Sequence, residues 1–143
     1  MIKAIRQGVI DAIDKEFGLP ICIDKIQQGI EEPCFLVTSV TNSENHIIGN
    51  RHQRNNAFMV QYFPSSQEEY SDECNDVSER LFNVLDRIKV NDGYMNHTGD
   101  MSAHMVDDVL NFEVTYRPMI FKIPKEQESE PMEILDNNIM VKE

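Results

Sequence analysis

The stretch from Gly49 to Pro64, GNRHQRNNAFMVQYFP, constrains the fold more than any other part of the chain. It begins with Gly49 and Asn50, which readily take the positive φ of a tight turn, and it ends at Pro64, which cannot donate to a strand ladder. The residues between are first polar and then mostly apolar. We therefore predict one long strand whose first half projects beyond the core.

The residues before this stretch predict its partner strand. From Pro33 the run CFLVTSVT has apolar and β-branched residues at both odd and even positions. This pattern is typical of a strand with both faces at least partly buried. NSEN and then HIIGN mark the reversal, so the two strands should form an antiparallel hairpin. The short run PICI, which begins at Pro20, is predicted to be a first or edge strand.

Two amphipathic helices are predicted to cover the sheet. The first has apolar residues at helical spacing and ends at Gly18: Ile2, Ile5, Val9, Ile13 and Phe17. The second follows Pro64, with Ser65 or Ser66 as a cap and acidic residues in its first turns. Its apolar stripe consists of Tyr70, Cys74, Val77, Leu81, Phe82, Leu85 and Ile88.

The later part of the chain indicates further strands. KVNDGYM predicts a turn at Asn91-Asp92-Gly93, and MSAHMV predicts a strand that reverses at Asp107-Asp108. From Leu110 to Tyr116 apolar and polar residues alternate strictly, as in a strand with one buried face. The fold class is therefore α+β, with two main helices on one mainly antiparallel sheet. We predict a domain at residues 1–123 and an acidic C-terminal tail at 124–143, extended or docked on a partner.

Composition excludes several classes of function. The formal net charge of -12 and the pI near 4.6 disfavour specific nucleic-acid binding. No apolar run approaches the roughly 20 residues of a membrane helix, and the N-terminus lacks a signal-peptide core, so we expect no membrane partner and a cytosolic chain. Three widely spaced cysteines, Cys22, Cys34 and Cys74, argue against a disulfide framework and are interpreted as core residues.

The sequence offers little catalytic chemistry. It has no glycine-rich phosphate loop, no GxSxG and no HExxH, so the motifs indicate neither nucleotide nor hydrolytic chemistry. His97, Asp100 and His104 can be drawn as a metal site, but no spacing rule selects them, and no metal is predicted. Cys74 can be drawn as a nucleophile, yet its place on an apolar stripe favours a buried, unreactive thiol.

An uneven charge distribution identifies a candidate interface. Residues 64–108 carry eleven acids against Arg80, Arg87 and Lys89, whereas the start of the central strand is basic. Such polarity suits head-to-tail packing of identical subunits, although solvated surfaces would have the same pattern. The candidate subunit or tube interface consists of Arg51, His52, Arg54, Glu68, Glu69, Asp72 and Glu73.

Five segments together resemble one known family. They are IKAIRQGVIDAIDKEFGLPICID at the N-terminus, EEPCFLV, the central GNRHQRNNAFMVQYFP, DVSERLFNVLDRI and VDDVLNFEVTYR. Over about residues 1–123 the chain is similar to the tail terminators of tailed phages and prophages of low-GC Gram-positive bacteria. The central GNR…YFP motif and the order of the elements carry the resemblance, and no single residue has a unique chemical duty.

The resemblance implies a structural protein of the viral tail or of a tail-like bacteriocin particle, assembled in the bacterial cytoplasm, that is not an enzyme and has no cofactor. It implies a homo-oligomer, a hexameric ring on the last ring of the tail tube protein, that stops tube polymerisation. It also implies a docking surface for a head-completion protein, or for the sheath protein where the tail is contractile. Two alternatives stay open: a neck or head-tail connector ring, and a small ligand-binding domain.

Overall fold

The computed structural model describes residues 1–65 and 70–123, and over these residues it contains two helices and eight strands. In chain order they are α1 (Ile2–Phe17), β1 (Ile21–Ile23), β2 (Cys34–Ile48), β3 (Arg51–Phe63), α2 (Tyr70–Val84), β4 (Arg87–Val90), β5 (Gly93–Asn96), β6 (Ser102–Val106), β7 (Val109–Tyr116) and β8 (Met119–Phe121). Two compact units are formed. The first contains Met1–Ser43 and Arg54–Pro118, and the second contains Glu44–Gln53 and Met119–Glu143.

The sheet is mainly antiparallel, as predicted. Its strand order is β1-β2-β3-β7-β6. β3 pairs antiparallel with β7 from Asn56↔Tyr116 to Tyr62↔Leu110, and β6 pairs antiparallel with β7. The short β1 is at one edge and pairs parallel with β2. The α+β fold class is thus confirmed.

The core of the first unit joins both helices to the sheet. α1 buries Ile5, Val9 and Ile13 at the predicted spacing, and α2 buries Cys74, Val77 and Leu81. These side chains pack with strand residues in one cluster that includes Phe35, Val37, Phe58, Val60, Phe112, Val114 and Tyr116. α1 ends where predicted, because Gly18 has φ 66° and its N–H bonds to the Asp14 carbonyl at 2.9 Å.

Gly8 lets α1 approach β4 very closely. A Cβ atom at Gly8 would lie 2.6 Å from the carbonyl oxygen of Lys89 and 3.2 Å from Cδ1 of Ile88. The obstructing atom is part of the backbone, so it cannot move aside as the end of a flexible side chain would. The packing of this helix on β4 therefore depends on the absence of a side chain at position 8.

The second helix is shorter than its apolar stripe predicted. α2 ends at Val84, and Ile88 belongs to β4, where exposed and buried residues alternate. Leu85 still bonds through its N–H to the Leu81 carbonyl at 3.0 Å. Both residues remain in the core, Leu85 in the bend between α2 and β4 and Ile88 at a buried position of β4. The inclusion of Ile88 in the helix was wrong.

The hairpin of β2 and β3 also differs from the prediction at one point. NSEN does not begin the reversal, because β2 continues to Ile48 and the turn is at Gly49 and Asn50, with Gly49 at φ 57°. Asn42 lies within the strand, where its side-chain carbonyl accepts a hydrogen bond from Asn56 at 2.9 Å. Exposed strand positions tolerate polar residues, so polarity alone did not mark a turn there.

Two predicted turns are confirmed. Asp107 and Asp108 both have positive φ, 51° and 64°, which is the backbone of a type I′ turn between β6 and β7. Asn91, at φ 55°, lies in the turn between β4 and β5. These two strands form a separate antiparallel pair.

The described part of the second unit contains residues 44–53 and 119–123. β8 pairs antiparallel with the start of β3, from Arg51↔Phe121 to Gln53↔Met119, and the N–H of Lys122 bonds to the Asn50 carbonyl at 2.8 Å. The apolar segment after Pro118, which was predicted to be extended, therefore forms a separate strand, β8. The predicted tail at 124–143 lies outside the described residues.

Candidate subunit interface

Arg51 and His52 lie in the second unit, at the start of β3. The Arg51 guanidinium carbon is 5.7 Å from the centre of the Phe121 ring, within the range of a cation–π contact. Nδ1 of His52 lies 3.4 Å from a carboxylate oxygen of Glu44, and the His52 ring packs at 4.8 Å from the ring of His46. Lys122 also contacts Glu44. We refer to Arg51 and His52 as the basic strand end. The carboxylate of Glu44, on β2, lies beside it.

Arg54, the third predicted basic residue, belongs to the first unit. Its backbone N–H donates to the Pro118 carbonyl at 3.0 Å, and its side chain is half-buried. The structure therefore brings Arg51 and His52 together at one strand end and places Arg54 in the other unit. The sequence motif is continuous, but its basic residues have different surroundings.

The acidic face of α2 is exposed on the first unit. Asp72, Asp76 and Glu79 are all exposed, and we refer to these three carboxylates as the acidic face. Asp76 lies 3.6 Å from Arg80, which also bonds to Glu16 at 2.8 Å. Glu68 and Glu69, which were predicted to extend this face, lie outside the described residues.

Glu73 has a different environment from its acidic neighbours. Its carboxylate accepts hydrogen bonds from the Tyr62 hydroxyl, from the Ser65 backbone N–H at 2.8 Å and from the Ser65 hydroxyl at 3.0 Å. Burial and, second, this hydrogen bond raise the pKa of Tyr62 well above its usual value. Glu73 therefore joins α2 to the end of β3, a role that the sequence alone did not indicate.

The residues considered as a possible nucleophile or metal site are not arranged for either role. Burial raises the pKa of the Cys74 thiol, and Cys74 is packed in the core as predicted. Nδ1 of His97 lies 3.0 Å from an Asp86 carboxylate oxygen, whereas Asp100 and His104 are exposed. Within residues 1–65 and 70–123, no three His, Cys, Asp or Glu side chains are grouped so that they could hold a metal ion.

One groove lies on the first unit. It runs along α1 beside β4 and β5, and its charged lining residues are of both signs: Asp11, Lys15, Glu16, Arg87 and Lys89. Tyr94 is 65% exposed, with the Arg87 guanidinium 4.5 Å from the centre of its ring. Because positive and negative side chains are mixed along the groove, its polar groups do not converge on one class of ligand.

An exposed apolar surface was missed from the sequence. In the second unit Ile47, Ile48, Met119, Phe121 and Ile123 are all exposed. Met119 and Phe121 are at alternate positions of β8 and therefore share one face, and we refer to these two side chains and the following Ile123 as the apolar surface. The run MIFKI was recognised as extended and apolar, but its degree of exposure depends on the pairing of β8 with the start of β3, which the sequence did not indicate. None of the described helices is long and apolar enough to cross a membrane.

Comparison with known proteins identifies a family. A family model described as "Phage tail terminator protein" matches residues 4–129. One solved structure shares 14% sequence identity with a TM-score of 0.44, over 82% of this chain and 96% of the other, a similarity too low to inform on function. A search of curated proteins finds no match to the chain.

Proposed function

This chain belongs to the phage tail terminator family, and we propose that its copies form a ring that caps the head-proximal end of a tail tube and stops its polymerisation. Membership supports a structural role in the phage tail. The observation that carries the proposal is the family match over residues 4–129, which includes α1 from its third residue, the whole of α2 and all the described strands. We propose a hexameric ring, as the sequence resemblance implies.

The charges of the described residues support a contact between neighbouring subunits. A closed ring needs two different surfaces on each subunit, each complementary to the other. Arg51 is exposed at the start of β3, and the acidic face is exposed on α2. In the proposed ring, the basic strand end of one copy meets the acidic face of the next, with Arg54 and the predicted Glu68 and Glu69 beside the contact. Because Glu73 has partners within its own chain, we assign it to supporting α2 rather than to the contact itself.

The proposed role requires contacts with other tail proteins and no catalysis. One face of the ring would bind the last ring of the tail tube protein. The opposite face would offer the docking surface for a head-completion protein, or for the end of the sheath protein in a contractile or headless particle. Assembly would take place in the bacterial cytoplasm, and the finished ring would remain in the tail.

Labelling of tube ends tests this proposal. Purified full-length chain carrying a gold label should bind one end of tail tubes isolated from a strain that lacks the gene, as seen by negative-stain electron microscopy. Tails from the unmodified strain are the matched control, because their ends are already capped and should remain unlabelled. Label on the portal vertex of capsids, with bare tube ends, would indicate a head-tail connector instead.

A further inference from the structure

The apolar surface of the second unit lies on one short segment, residues 119–123. Its three side chains are between 49% and 67% exposed: Met119 at 49%, Phe121 at 67% and Ile123 at 61%. The same unit also exposes Ile47 at 51% and Ile48 at 66%, which are consecutive in β2 and therefore point to opposite faces of the sheet. Isolated exposed apolar residues need no explanation, but a cluster of this density marks a surface that another segment covers.

The charges around the apolar surface indicate the chemistry of that segment. Arg51 lies over the ring of Phe121. Lys122, which precedes Ile123, contacts Glu44, the one carboxylate among the described residues of the second unit. The positive charge beside the apolar surface is therefore that of Arg51. A segment that combines apolar side chains with a negative charge is therefore complementary to this surface.

The chain itself has such a segment immediately after the surface. Residues 124–143 contain six acids against two lysines, and their apolar residues form two clusters: Met132, Ile134 and Leu135, then Ile139, Met140 and Val141. Eight residues, 124–131, separate Ile123 from Met132. That linker reaches at most about 29 Å, so it holds the clusters near the surface at a high effective concentration.

We propose that residues 132–141 dock on the apolar surface of the same chain. The short linker favours this intramolecular contact over the same contact with a second copy, because the second copy must be recruited from solution. The family match ends at residue 129, so the docking segment lies beyond the part of the chain shared with the family. Docking shields the apolar surface of the free subunit from non-specific association.

Hydrogen-deuterium exchange of the full chain tests the proposal. Backbone amides of residues 132–141 should exchange at least about tenfold more slowly than an unstructured peptide of the same sequence. Phe121→Ser should return them to the unstructured rate. Tyr94→Ser is the matched control, since Tyr94 is exposed to nearly the same extent, 65% against 67%, but lies on the first unit. This control should leave the exchange slow.

A second variant distinguishes a loss of docking from structural damage to β8 caused by Phe121→Ser. Leu135→Asp leaves the surface intact and should also accelerate exchange across residues 132–141. Exchange at the unstructured rate in the unmodified chain would overturn the proposal, and so would protection that persists in both Phe121→Ser and Leu135→Asp. Protection that rises with protein concentration would also overturn it, by identifying a second copy as the partner. The assay uses the isolated chain without tubes, so its result is independent of the proposed ring.

Discussion

Replacing Arg51 and Arg54 together by glutamate is expected to weaken attachment of the protein to tail ends at least about tenfold while leaving the monomer folded. In the ring that we propose, the reversal would place negative charges opposite the acidic face of the neighbouring subunit, and like charges brought together at an interface cost several kcal/mol. Arg51 is exposed and Arg54 half-buried, and neither belongs to the hydrophobic core. Binding to uncapped tubes and a thermal melting curve measure the two effects separately.

A matched charge reversal controls for the change in net charge. Lys3→Glu plus Lys25→Glu lowers the formal charge of the chain by the same amount, at two exposed positions outside the candidate interface. This variant should bind tube ends as the unmodified protein does. Normal tube capping by the Arg51 and Arg54 variant, together with an unchanged melting curve, would remove these residues from the interface.

Gly8→Ala is expected to destabilise the monomer by about 1–3 kcal/mol, although alanine is the better helix former by up to about 1 kcal/mol. The new methyl group would lie 2.6 Å from the Lys89 carbonyl oxygen, so α1 must move away from β4. That movement loosens the packing of Ile5 and Val9 in the core. Urea denaturation monitored by circular dichroism measures the free energy of unfolding.

Gly93→Ala is the matched control for this prediction. A Cβ atom at Gly93 would meet no atom within 4 Å, and Gly93 lies outside the helices at the start of β5. Its effect on the free energy of unfolding should be smaller than that of Gly8→Ala. Equal stability of the Gly8→Ala variant and the unmodified protein would show that α1 and β4 can separate without cost.

The periodicity of apolar residues predicted the helices and strands that have one buried and one exposed face. The apolar spacing in α1 identified the buried Ile5, Val9 and Ile13, and the alternation from Leu110 to Tyr116 identified β7. Turns with a local conformational requirement were also predicted, because residues such as Asp107 and Asp108 adopt positive φ more readily than most. These features depend on short segments of sequence.

Features that depend on distant residues were not predicted. The end of α2 was placed too late because Ile88 continues an apolar spacing while belonging to a strand. Likewise, nothing near Glu73 in the sequence indicates that Tyr62 and Ser65 donate to its carboxylate. The basic motif was found, but its division between two units depends on how β3 pairs with β7 and β8.

The length of tails in a strain lacking this gene is the most direct test of the terminator role. Tails from induced particles are measured by negative-stain electron microscopy, beside tails from the same strain with the gene restored. A tube without its cap keeps adding subunits, so the deletion should give overlong tails of heterogeneous length, and restoration should return one length. Tails of normal length in the deletion strain would contradict the terminator role.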